Sequence, residues 1–128
     1  MPFDLTTATP EAVAAEAERA IAEADAIVAA AVVTGAPRSV EATLLPFDAA
    51  AGVISEAMGS AGFMAYVHPD ADVRAAGHAA SEHLARWAVD LPFDPAVAAA
   101  ITACSRISAC VLRSTTQRSG LTSRRTRR

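Results

Sequence analysis

The sequence has 128 residues, of which 33 are alanine, 11 are arginine and none is lysine, and its formal net charge is −3. Its longest unbroken apolar run has eight residues, whereas a membrane-spanning helix needs roughly 20. The N-terminus has neither the basic nor the apolar region of a secretory signal. These features exclude a membrane-spanning protein and predict one cytoplasmic domain.

A first amphipathic helix is predicted to begin after Thr9, a good N-cap residue followed by Pro10, and to end near Thr34, before Gly35 and Pro37. Apolar side chains recur along it at spacings of three and four residues. They are Val13, Ala17, Ala20, Ile21, Ala24, Ile27, Val28, Ala31 and Val32. The opposite face carries Glu16, Glu18, Arg19, Glu23 and Asp25, which we interpret as solvated charges rather than as a general acid–base pair.

A second helix is predicted from Ser39, whose hydroxyl can cap it, towards Tyr66, with an interruption or kink at Pro46. Three glycines, Gly52, Gly59 and Gly62, weaken this prediction, because glycine lowers helix stability by about 1 kcal/mol relative to alanine. They are expected where another helix packs closely. Alternatively, they mark one or two short loops.

The third and fourth helices have the clearest start signals. Pro69 and the acidic residues Asp70 and Asp72 open the third helix and Pro92 closes it. Its apolar face is predicted to consist of Val73, Ala76, Ala80, Leu84, Trp87, Ala88 and Leu91. The pair Asp94-Pro95 repeats the start signal, so a fourth helix should continue through Val97 and Ile101. Since no segment alternates with period two, the fold class is predicted to be all-α, an antiparallel array of about four helices.

The composition changes abruptly after Ala103. Residues 1–103 have a formal charge of −10, whereas residues 104–128 contain seven arginines and no acidic residue. Nine of these last 25 residues are serine or threonine, and a segment so polar and charged is expected to be disordered. Its arginines could bind nucleic acid, but interleaved aromatic residues are missing and the acidic body would repel a polyanion, so we expect no such partner.

No catalytic, cofactor-binding or metal-binding residue is predicted. His78 and His83 are five residues apart, which turns them about 140° from each other on a helix, so they do not form the H-E-x-x-H pair of a zinc peptidase. His68, His78 and His83 are the three histidines. The spacing of Cys104 and Cys110 does not fit a disulfide framework or a zinc ribbon. The glycines at 59 and 62 neither follow a strand nor precede a lysine, as a phosphate loop requires.

Three segments between Arg38 and Ile101 nevertheless resemble the N-terminal helical region of the thimet oligopeptidase and oligopeptidase A family of zinc metallopeptidases. Residues 38–48, R-S-V-E-A-T-L-L-P-F-D, are similar to the family's R-T-x-E-N-T-L-x-P-L-D, with Ala42 in place of asparagine. Residues 67–76, V-H-P-D-A-D-V-R-A-A, resemble V-H-P-D-x-x-V-R-x-A. Residues 81–91 resemble x-L-x-x-W/F-x-V-x-L. After Ala103 the resemblance ends.

The resemblance implies a fragment of a cytoplasmic metalloendopeptidase in which residues 1–103 form one wall of the substrate channel. The zinc cofactor of that family is held by an H-E-x-x-H helix and a downstream glutamate, none of which matches a position here, and its substrates are short peptides. We therefore expect this chain to be inactive alone and prone to self-association. On this hypothesis residues 104–128 are a tail translated in a shifted frame. The alternative is a non-enzymatic helical interaction module with a basic docking tail.

Overall fold

The computed structural model describes residues 7–33 and 38–107, and this part of the chain contains helices and turns without strands. The all-α prediction is therefore confirmed. The elements are α1 (Pro10–Ala31), a π-helical turn (Val40–Leu44), α2 (Leu45–Ala57), a second π-helical turn (Met58–Gly62), α3 (Met64–Val67), α4 (Ala71–Asp90), a 3₁₀ turn (Leu91–Phe93) and α5 (95–107). No helix within the described ranges is long and apolar enough to cross a membrane.

All four predicted helix starts are confirmed, and each is capped by a side chain that the sequence places there. The Thr9 hydroxyl accepts a hydrogen bond from the Ala12 N–H at 3.2 Å, and the Ser39 hydroxyl accepts one from the next helical segment at 3.0 Å. The carboxylates of Asp70 and Asp94 accept bonds at 2.8 and 2.7 Å from backbone N–H groups two residues ahead. Local chemistry thus fixes where the helices begin.

The interruption predicted at Pro46 takes the form of a π-helical turn. In this wider turn the Leu45 N–H donates to the Val40 carbonyl, five residues back. Pro46 follows at the second position of α2 and has no N–H to donate to Ala42. The helical path therefore continues past the proline.

Contacts between helices define an up-down-up arrangement. The Ser81 hydroxyl of α4 donates to the Gly62 carbonyl, while Gly77 lies against Ala65, so α4 runs antiparallel to the segment 58–67. The contacts between α1 and α4 follow the opposite rule. Glu18 of α1 pairs with His83 of α4, and Asp25, later in α1, pairs with Trp87, later in α4. The first and third helical stretches are therefore parallel and in direct contact, and the second stretch runs in the opposite direction.

Small side chains dominate the core. Eleven of the 19 buried hydrophobic residues in the described part are alanines, and Met64 and Leu84 are the largest side chains that are fully buried. The predicted apolar face of α1 is confirmed, since each of its members is either buried or packed against the core. In the predicted apolar face of the third helix Ala88 is exposed, so this assignment is wrong. The fourth helix runs through Val97 and Ile101 as predicted.

Only one of the three glycines singled out in the sequence lies at a close helix contact. A Cβ atom on Gly62 would lie 2.8 Å from the Ser81 hydroxyl, but nothing lies within 4 Å of one on Gly52 or Gly59. All three glycines belong to helical turns, so the loop alternative is also wrong. The closest approach is at Gly77, which the sequence did not single out: a Cβ there would lie 2.9 Å from the Ala65 Cα and 3.0 Å from the Met64 carbonyl carbon.

The last helix extends into the segment that was predicted to be a disordered tail. Helix α5 continues through residue 107, and Cys104 is buried at 2% exposure. Val97, Ala100 and Cys104 follow one another at spacings of three and four residues, so the thiol completes the apolar face of α5. The prediction of disorder is therefore wrong for residues 104–107, and for residues 108–128 it lies outside the described part.

Candidate functional site

A cleft of about 310 Å³ opens between the C-terminal halves of α1 and α4 and the start of α5. Its apolar lining is formed by Ile21, Val28, Trp87 and Leu91. Pockets for small molecules occupy roughly 300–1,000 Å³, so this cleft has room for a small group or a single long side chain.

Three carboxylates, those of Asp25, Asp90 and Asp94, line the same cleft together with the cationic Arg86. Asp25 comes from α1, Asp90 from the last turn of α4, and Asp94 from the cap of α5. Since only one guanidinium stands against three carboxylates, the cleft has a negative potential that attracts cations.

The indole of Trp87 connects the two helices at this cleft. Its Nε1–H donates a hydrogen bond of 2.7 Å to the Asp25 carboxylate, while the ring packs against the hydrophobic core. A half-buried tryptophan usually finds an acceptor for its N–H group, and Asp25 supplies one across 62 residues of sequence. This bond fixes both the orientation of the indole and the position of one acidic group.

The three histidines have separate neighbours. His83 Nδ1 lies 3.5 Å from a Glu18 carboxylate oxygen, and His83 also lines the cleft. His78 is exposed, with its ring edge-on to Tyr66 at 5.7 Å. The ring of His68 accepts a hydrogen bond from the Asp70 N–H. The interpretation of His78 and His83 as exposed residues of the third helical stretch is confirmed. Within residues 7–33 and 38–107 no group of three or more possible ligands could hold a metal ion.

The charged face of α1 forms a local ion-pair network. Arg19 donates to Glu16 and to Glu23, each at 2.7 Å. The hydrogen bond from Arg19 lowers the pKa of the Glu16 carboxyl, and the same pair raises the pKa of the arginine. A carboxylate held ionised in this way is a poor general acid. Its side chain is only 16% exposed, so the prediction that Glu16 is a solvated charge is wrong.

One buried polar group has no partner among the described residues. Thr43 lies in the first π-helical turn with 0% exposure, and its hydroxyl makes no hydrogen bond there. The backbone N–H of Thr43 is satisfied by the Ser39 carbonyl. The unpaired hydroxyl therefore reduces stability without contributing to the cleft.

Two arginines in the segments that resemble oligopeptidases hold the ends of helices. Arg38 donates to the carbonyls of Ala31 and Val33 at 2.7 and 3.1 Å, and so closes the C-terminus of α1. Arg74 donates to the His68 and Pro69 carbonyls at 2.9 and 2.7 Å, and so fixes the loop before α4. Both residues therefore position helices and lie outside the cleft.

Sequence reasoning missed the cleft because its parts are distant in the chain. It placed Asp25 on the solvated face of α1, although this residue lies next to the apolar positions that line the cleft. The one available signal was Trp87, the only tryptophan, whose N–H requires an acceptor.

The comparisons with known proteins give no relatives. No protein-family model, no curated protein and no solved structure matches this chain.

Proposed function

We propose that this chain is the N-terminal helical part of a zinc metalloendopeptidase of the thimet oligopeptidase and oligopeptidase A type, and that it forms a channel wall without hydrolysing peptides itself. The observation that carries the proposal is the role of the resembling segments. Arg38 and Ser39 connect the first two helical stretches, and Asp70 and Arg74 build the start of α4. Two of the three segments that resemble the family thus form the helix caps and the connections between successive helices.

The chemistry of the proposed peptidase belongs to residues that this sequence does not contain. The sequence has no H-E-x-x-H segment, so zinc and the short peptide substrates are assigned to the catalytic part of such a protein. A cytoplasmic location is part of the same proposal. The contribution of this chain is mechanical, since its helices would shape the channel in which a peptide binds.

The deciding observation is the nucleotide sequence downstream of the coding region, translated in the other two frames. An open frame that encodes H-E-x-x-H supports the fragment proposal, and its absence contradicts it. In addition, the purified chain incubated with zinc should not cleave a fluorogenic peptide. Measurable cleavage that disappears on chelation would show that the chain has its own catalytic site.

A self-contained interaction module is the second candidate, and the closed core favours it. Val13 and Leu84 are both fully buried within this one chain. The chain also exposes apolar side chains on which a partner could bind, since Phe63, Tyr66 and Val67 are 48%, 73% and 51% exposed. Monomeric sedimentation together with a cooperative urea transition would favour the module. Self-association through the apolar surface would favour the fragment.

A further inference from the structure

The cleft beside Trp87 combines an aromatic side chain with an excess of carboxylates. Asp25, Asp90 and Asp94 carry the negative charge, and Arg86 offsets one of them. His83 also faces the cleft, but it already contacts Glu18. Such a lining fits an organic cation with an apolar stem, since the stem can pack on the indole while the charge meets the carboxylates.

Among organic cations, an arginine side chain fits this lining best. Its guanidinium is planar, donates several hydrogen bonds in a fixed geometry and stacks on aromatic rings, whereas a lysine ammonium is a compact and strongly hydrated charge. The cleft of about 310 Å³ lies at the lower end of the range for ligand pockets and has room for one extended side chain.

The chain itself supplies arginines at high local concentration. Residues 108–128 contain six arginines and no acidic residue, whereas the described part contains 13 acidic residues and five arginines. This segment follows α5, the helix whose cap, Asp94, lines the cleft. Charge complementarity and covalent connection therefore point to the same occupant.

The chain is also long enough to reach back. Helix α5 extends over 13 residues from 95 to 107, or about 20 Å at a rise of about 1.5 Å per residue. The 17 residues from 108 to 124 can span up to about 55 Å when extended. The arginines at 124–128 are therefore within reach of the cleft.

We propose that the cleft formed by Trp87, Asp25, Asp90 and Asp94 binds an arginine side chain from residues 124–128 of the same chain. This inference depends only on the charges and the geometry, and it holds whether or not the peptidase proposal is correct.

The single tryptophan makes the proposal directly measurable in the full chain. The Trp87 indole N–H gives one resonance in an NMR spectrum of the ¹⁵N-labelled protein. Raising NaCl from about 20 to about 500 mM should shift this resonance, because salt screens the contact between the segment and the cleft. In the variant R124Q/R125Q/R127Q/R128Q the resonance should already lie near its high-salt position. Equal positions and equal salt responses in both proteins would overturn the proposal.

A peptide with the sequence of residues 108–128 tests the site itself. Added to the quadruple variant, it should return the Trp87 resonance to its native position. Asp90→Asn should weaken this binding by about 2- to 5-fold, as expected for one partly exposed charge pair. The substitution suits the fold, since removing a negative charge from the last turn of a helix favours its dipole. Glu82→Gln, on the same helix but outside the cleft, is the matched control and should leave the binding unchanged.

Two further outcomes would contradict the proposal. Equal weakening by Asp90→Asn and Glu82→Gln would show that the peptide is attracted by the acidic surface in general and not by the cleft. A resonance position that depends on protein concentration would show that the occupant is the segment of a second copy.

Discussion

The two halves of α4 show how side-chain size determines the distance between helices. In the first half, Gly77 lies so close to the backbone of Ala65 that a Cβ atom would find no room. In the second half, Trp87 lines a cleft of about 310 Å³ together with Ile21 and Val28 of α1. One continuous helix thus contains the most closely approached of the described glycines at one end and lines the acidic cleft at the other.

This difference follows from the composition. Alanine and glycine bury little area per residue, so a core made from them gains stability mainly when backbones approach closely. A large side chain at the interface prevents that approach and leaves space beside itself. The indole of Trp87 keeps its hydrogen bond to Asp25 at the edge of this space, which positions a polar group where a ligand can reach it.

The largest loss of stability is expected from a substitution at Gly77, in the first half of α4. In Gly77→Ala the new Cβ would lie 2.9 Å from the Ala65 Cα, and backbone atoms cannot move aside as a side chain can. We expect the free energy of unfolding to fall by about 2–3 kcal/mol, as for overpacked cores, despite the better helix propensity of alanine. Urea denaturation followed by circular dichroism measures this change.

Gly52→Ala is the matched control, because nothing lies within 4 Å of a Cβ at this position in α2. It should stabilise the protein by about 0.5–1 kcal/mol through helix propensity alone. If both substitutions changed stability by the same amount, the close contact of α4 with α3 would be disproved.

In the second half of α4, beside the cleft, a smaller loss of stability is expected, and it arises from a lost hydrogen bond. Trp87→Phe keeps an aromatic ring but removes the N–H that Asp25 accepts, and should lower the free energy of unfolding by about 1.5 kcal/mol, near the lower limit for bonds to charged groups. Asp25→Asn retains an acceptor oxygen and should lower it by less. A thermal melt of each variant distinguishes the two, and equal losses would show that the charge of Asp25 matters more than the bond.

The sequence predicted what is local in this fold. Thr9, Ser39, Asp70 and Asp94 identified the helix starts, because a cap is recognised within a few residues. The close contact at Gly77 was not predicted, because a glycine shows close packing only when the crossing segment is known. Cys104 was assigned to a tail since its neighbours are polar, although its spacing from Ala100 places it on the buried face. The cleft depends on residues more than 60 positions apart, and no local pattern brings them together.

A polar group inside the core provides a contrast to the paired indole of Trp87. The Thr43 hydroxyl is fully buried and has no hydrogen-bond partner among the described residues. Thr43→Val replaces this hydroxyl with a methyl group of similar size and should raise the free energy of unfolding by about 1 kcal/mol. Thr43→Ser, which keeps the hydroxyl and loses the methyl group, should lower it. Loss of stability in the valine variant would mean that the hydroxyl has a partner in the folded protein.

The smallest change in stability is expected at the ion pair of the half-buried Glu16 with the exposed Arg19 on α1. The pKa of Glu16 lies below its ordinary value of 4.5 because Arg19 donates to its carboxylate. A lowered folded-state pKa stabilises the protein at pH values above 4.5, and this stabilisation is lost as the pH falls through the lowered value. At pH 7, Glu16→Gln should therefore be less stable than the native chain by about 0.5 kcal/mol, within the range for surface ion pairs. The difference should shrink at acid pH, once the pH has fallen below the lowered pKa of Glu16 and the native carboxyl is protonated as well. Urea titrations at both pH values measure it, and a difference that persists at the lower pH would assign the effect to packing rather than to charge.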